Sequence, residues 1–110
     1  MVGLVERIGR DRGIEHPVQM SLGITDGRSV YAFRYSTEGR SRTLYHSASI
    51  AAVAEIAPQV RRFSPDARAV VSEPLSDLAE AWIEVPESSF VEVRGGEVRI
   101  EPFEPIAPAD

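Results

Sequence analysis

Ser72 and Glu73 are the first residues to weigh for chemistry: a hydroxyl and a carboxylate at the end of the apolar run Ala69-Val70-Val71. Pro74 follows at once, has no N–H to give to a ladder, and biases Glu73 toward extended backbone. A strand that stops here delivers both side chains to the point where pairing ends. The same two residues also suit a plain turn with a solvated acid. Glu73 and Asp77 would meet if the chain turns helical after Pro74, as an acid pair does in hydrolysis. Local side-chain bonds within a turn call for the same residue types. Arg34, Arg40 and Arg42 surround one strand–turn–strand unit and could grip an anion, yet charged hairpin edges that discourage sheet aggregation read alike. His46 stands beside Tyr45 with no nucleophile or orienting group that the sequence places near it. His16, before Pro17, is weaker still. No phosphate loop, dinucleotide fingerprint, zinc spacing or nucleophile elbow is present. Residue chemistry alone identifies no enzyme.

The elements that must position these residues follow from periodicity. Met1 to Arg12 reads as a helix whose apolar stripe is Met1, Leu4, Val5 and Ile8, with Gly13 as its left-handed cap. No capping side chain precedes it, which suggests that its natural beginning lies upstream. Val18 to Ile24 and Ser29 to Tyr35 alternate as strands around the turn Thr25-Asp26-Gly27-Arg28, a hairpin. Tyr31, Phe33 and Tyr35 share one face. Arg42 to Ser47 is a third strand, and Ala48 to Gln59 a short helix capped by Ser49 and ended by Pro58. Val60 to Asp66 reads as loop. Ala69 to Val71 is expected as a central strand covered on both faces, so that Val71→Asp would unfold the chain. Leu75 to Ala81 suggests a helical turn, Trp82 to Val85 a strand, and Phe90 to Arg94 another that turns through Gly95-Gly96 into Glu97 to Glu101. The sum is an α+β chain, an antiparallel sheet with one or two helices. Residues 1–101 form one domain, and 102–110 a proline-rich acidic tail with little reason to pack beyond Phe103.

Composition narrows the function classes. The 110 residues carry 12 basic and 17 acidic side chains for a net charge of −5, which argues against nucleic acid or an anionic membrane as partner. No apolar run approaches a membrane span and no signal peptide opens the chain, so the cytoplasm is the expected compartment. The lack of cysteine excludes disulfides, cysteine zinc sites and thiol nucleophiles, and with two histidines no histidine-rich metal site is expected, nor any cofactor.

Five segments in order carry a resemblance: Ile24-Thr25-Asp26-Gly27, Ala32-Phe33-Arg34-Tyr35-Ser36, Leu44-Tyr45-His46-Ser47, Val70-Val71-Ser72-Glu73-Pro74-Leu75, and Val85-Pro86. Together they resemble the C-terminal half of class II glutamine amidotransferases, nearest the small bacterial branch that includes the ergothioneine-pathway hydrolase. The resemblance runs from about Pro17 to Ile100, with Pro86-Glu87-Ser88 standing where relatives have Pro-Gly-Glu. It implies part of an N-terminal-nucleophile (Ntn) hydrolase fold, two antiparallel sheets between helix layers. It also implies a family reaction, glutamine hydrolysis to glutamate and ammonia by an N-terminal cysteine with an Asn-Gly pair at the oxyanion. This sequence has neither cysteine nor asparagine, so no catalytic residue carries over.

Asp26, Gly27, Arg34, Ser72 and Glu73 remain as motif positions without an assigned role. The expectation is a structural portion of such an enzyme, inactive alone, that associates with a catalytic N-terminal half or with itself. The alternative is a non-catalytic module of that fold that binds a small molecule or a protein. Either way the chain is expected to expose an apolar sheet face or edge.

Overall fold

A computed structural model describes residues 1–109, and its layers run helix, sheet, sheet, helix. The large sheet holds four strands in the order β1-β2-β6-β7: β1 Gln19–Thr25, β2 Ser29–Ser36, β6 Ser89–Arg94 and β7 Glu97–Pro102. All its pairs are antiparallel, with Leu22 opposite Phe33, Phe33 opposite Phe90, and Phe90 opposite Glu101. Two tight turns fix this register. Gly27 lies at φ +88°, and Gly95 and Gly96 lie at +55° and +83°, backbone that favours glycine.

Period-two alternation gives this sheet two unlike faces. One carries Met20, Leu22, Ile24, Tyr31, Phe33, Tyr35 and Phe90, with Phe33 in ring contact with both Phe90 and Phe103 (centroids 5.1 and 5.2 Å). The other carries Ala32, Val91 and Val93, which pack with Leu44, Val85 and Val70 from around the small sheet. That small sheet is ordered β4-β3-β5, with β3 Tyr45–Ser47, β4 Val70–Val71 and β5 Trp82–Glu84. Its far side meets helix α2, Ile50–Ile56, through Val53, Ala57, Ala81 and Trp82. Ser49 caps α2 by accepting from the Ala52 N–H at 3.2 Å.

The structure corrects four expectations. The run around Val70 and Val71 is no central strand: β4 is two residues long, at an edge, and half-buried. The chain bends away straight after Val71, and Pro74 has no N–H with which to rejoin a ladder, so β4 pairs with β3 alone and the centres are β2, β6 and β3. Helix α1, Val2–Asp11, forms as expected, but the side it buries is Gly3, Glu6 and Gly9. Its apolar stripe points outward, with Val5 45% and Ile8 48% exposed. The tail packs beyond Phe103. The backbone of Ile106 and Ala107 runs against Gly3, and Arg7 Nη1 donates to the Pro108 carbonyl at 2.7 Å. Finally, Pro58–Arg62, expected as helix end and loop, is a short 3-10 helix of its own.

The body measures 53 × 28 × 17 Å with a radius of gyration of 16.4 Å. A compact domain of this length would have about 13 Å. It is a slab with thin cover, and the largest side chains fully enclosed in it are Val85 and Val91.

Candidate functional site

Asp26 and Gly27 build the first turn. Asp26 Oδ1 accepts from the backbone N–H of Ser29 at 2.8 Å and of Arg28 at 2.9 Å. Those bonds, Ser29 first, hold its carboxyl below the usual range. The Thr25 hydroxyl donates to the Ser29 carbonyl at 2.8 Å and accepts from the Gly27 N–H at 3.1 Å. These polar groups are thus spent inside the hairpin, which is what a turn residue does rather than a ligand.

Arg34 sits midway along β2 on the side that faces the small sheet, only 7% exposed. Its Nη1 donates to the Val85 carbonyl and lies 3.4 Å from Glu84 Oε1, while Nη2 lies 3.3 Å from Glu87 Oε1. Nε donates to Ser41 Oγ at 3.1 Å. Glu87 in turn accepts from the Ser41 N–H at 2.7 Å and from the Ser41 hydroxyl at 2.6 Å. One guanidinium therefore ties β2, the loop after it, and the segment from β5 to β6 into a single network. A buried charge is tolerable only when satisfied this completely. The anion grip read from Arg34, Arg40 and Arg42 does not assemble: Arg34 is occupied by the protein's own carboxylates, and Arg40 and Arg42 are exposed.

Ser72 and Glu73 stand past the end of β4, both exposed. The Thr43 hydroxyl donates to the Ser72 carbonyl at 2.9 Å, which anchors the backbone and leaves the two side chains outward. Asp77 is exposed too, in bends that precede a single 3-10 turn at Ala79–Ala81. His46 is buried in β3, with Nδ1 3.1 Å from the Ser47 carbonyl, and His16 lies near Glu15. Among the described residues, no hydrogen bond or ion pair joins the Asp26 turn, Arg34 and the Ser72-Glu73 strand end to one another. They mark three places, not one.

Sequence reasoning missed Glu6. Its carboxylate is 5% exposed and accepts from the hydroxyls of Tyr35 and Thr37, the latter at 2.9 Å. Burial and the neighbouring carboxylate push the Tyr35 phenol up to about 12. The available signal was its place between Gly3 and Gly9 at spacing three, a stripe of small residues that admits close approach.

No family model matches the chain, and no curated protein does. Among solved structures, a glutamine aminotransferase class-II domain protein from Silicibacter pomeroyi superposes with a TM-score of 0.72 at 27% identity. The match covers 99% of this chain and 42% of that one. The chain has the fold of part of a class II glutamine amidotransferase. Within that class II fold, Arg34 is the joint between the two sheets, and Ser72-Glu73 is an open strand end at the edge of the smaller one. Beside that edge lies an apolar groove of about 330 Å³, lined by Ile50, Val53, Phe63, Leu75 and Trp82, in which Leu75 is 75% exposed.

Proposed function

We propose that the chain serves as the sheet-bearing portion of a class II glutamine amidotransferase, a scaffold for a catalytic segment rather than a catalyst. The structural match carries the reading: nearly all of this chain corresponds to less than half of the Silicibacter pomeroyi protein. The composition supports it, since glutamine hydrolysis by this family needs a cysteine thiolate and these 110 residues contain no cysteine. The Ntn-hydrolase character, a cytoplasmic setting and the absence of activity in the isolated chain belong to the same proposal.

The open edge of β4 and the groove beside it are where the catalytic segment would bear. Two half-buried valines and the exposed side chains of Phe63 and Leu75 are apolar surface that a covering strand would bury. About 1.5–3 kcal/mol per large side chain enclosed is available from such burial. The test is an ammonia-release assay with glutamine. The pure chain is expected to release none, and ammonia release is expected to appear when a separate catalytic segment that begins with a cysteine is added. Ammonia released by the pure chain would overturn the reading. Binding of a small molecule in the groove, with no complementation, would favour a non-catalytic module.

A further inference from the structure

The two edges of the large sheet are built differently. β7 reads Glu-Val-Arg-Ile-Glu-Pro, with Arg99 ion-paired to Glu92 and Glu101. Charges along a strand and a terminal proline are the usual guards against pairing with another chain. β1 reads Gln-Met-Ser-Leu-Gly-Ile-Thr: seven residues without a charge or a proline, all exposed except half-buried Met20. An unguarded edge of that length, about 24 Å at the usual rise, is a template for one more strand.

Its backbone polarity can be assigned. The Thr37 N–H donates to the Val18 carbonyl, so Val18, Met20, Leu22 and Ile24 direct their backbone bonds toward β2. By alternation, Gln19, Ser21, Gly23 and Thr25 direct theirs to the open side. We propose that this edge pairs with a second copy of the chain, antiparallel about a two-fold axis at Leu22. In that register Ser21 exchanges bonds with the partner's Gly23, and Gln19 with the partner's Thr25. Leu22 faces the partner's Leu22, and Met20 faces the partner's Ile24, as non-hydrogen-bonded pairs.

Three observations favour a second copy over a foreign strand. The register uses the whole of β1 on both sides and satisfies each outward N–H and C=O. It sets apolar against apolar on the aromatic face and uncharged polar or small residues against one another on the other, where space around Gly23 is open. And although the chain carries −5, β1 carries no charge, so no like charges meet at the seam. On the aromatic face, the groove of about 310 Å³ that runs from Met1 past Leu22 and Ile24 to Ile106 would continue into its symmetry mate. This inference does not rest on the scaffold reading, which assigns the catalytic segment to the other sheet.

Sedimentation of the 110-residue chain at micromolar concentration is expected to show a dimer. Leu22→Lys and Leu22→Glu, each tested alone, are expected to give folded monomers, because each places like charges opposite one another. An equal mixture of the two is expected to restore the dimer. Since the chain has no cysteine, Leu22→Cys supplies an independent test that needs no charge in the sheet. A non-hydrogen-bonded pair has Cα atoms about 4.5 Å apart, within disulfide range. Leu22→Cys should therefore oxidise to a covalent dimer, whereas Met20→Cys, opposite Ile24, should not. A monomeric parent chain, a dimer that survives Leu22→Lys, or equal cross-linking through Met20→Cys would each overturn the proposal.

Discussion

Helix α2 is fastened by hydrocarbon, and helix α1 by almost everything else. In α2, Val53 and Ala54 are buried, and Val53, with Ala57 just past the helix, meets Ala81 and Trp82. In α1, ten residues long, the buried positions are two glycines and a glutamate. Gly9 abuts the Pro17 ring, Gly3 abuts the backbone of the tail, and Glu6 is bonded to Tyr35 and Thr37. The amphipathic stripe that makes α1 helical in sequence faces out. The difference teaches that an amphipathic pattern reports an apolar side without naming its partner. Where the polar side is small enough to approach a sheet and carries one well-bonded acid, the helix can dock by that side instead.

The sharpest way to break this comparison is to put the same charge into both helices. Val53→Asp buries an unpaired carboxylate among Ala57, Ala81 and Trp82 and is expected to cost about 4 kcal/mol or more. Val5→Asp puts the same group on the outward stripe, near a helix N-terminus that favours negative charge, and is expected to change stability by about 0.5 kcal/mol or less. Chemical denaturation of both variants measures the two values. Equal losses would mean that α1 is held by its apolar side after all.

A second test addresses what α1 docks on. A Cβ at Gly3 would collide with the carbonyl carbon and oxygen of Ile106, backbone atoms that cannot rotate aside. Gly3→Val is therefore expected to displace the tail at a cost of about 1–3 kcal/mol, the range for overpacking. Limited proteolysis should then cut within residues 103–109 faster than in the parent chain. An unchanged cleavage rate would show that the tail does not depend on that contact.

Much of this architecture was legible because it is local. The Thr25-Asp26-Gly27 turn, the Gly95-Gly96 turn, the alternation of Tyr31, Phe33 and Tyr35, and the Ser49 cap each depend on neighbours a few residues away. The site positions were less legible. Pro74 marks Ser72-Glu73 as a strand end, but that strand is two residues at an edge, because the Val-Val run says nothing about how many neighbours it has. The role of Arg34 rests on Glu84 and Glu87, some fifty positions away, and no periodicity links residues at that separation. Glu6 was hidden for the same reason: an acid among the arginines of a short helix reads as solvated until Tyr35 is seen beneath it.

The smallest expected effect is also the most specific probe of that Glu6 contact. The Tyr35 phenol is held at about 12 in the folded chain against an ordinary value of 10.0, first by burial and then by its bond to the Glu6 carboxylate. A raised phenol pKa means that the folded state keeps its proton longer than the unfolded state does. The associated stability is thus complete below pH 10 and falls as pH rises from 10 toward 12. The chain contains no lysine, the side chain whose ordinary ionisation would otherwise fall in that window, which keeps the background low. The melting temperature of the parent chain should fall across that interval, and that of Tyr35→Phe should fall less steeply. Parallel curves would place the phenol in water and remove the polar anchor that distinguishes α1 from α2.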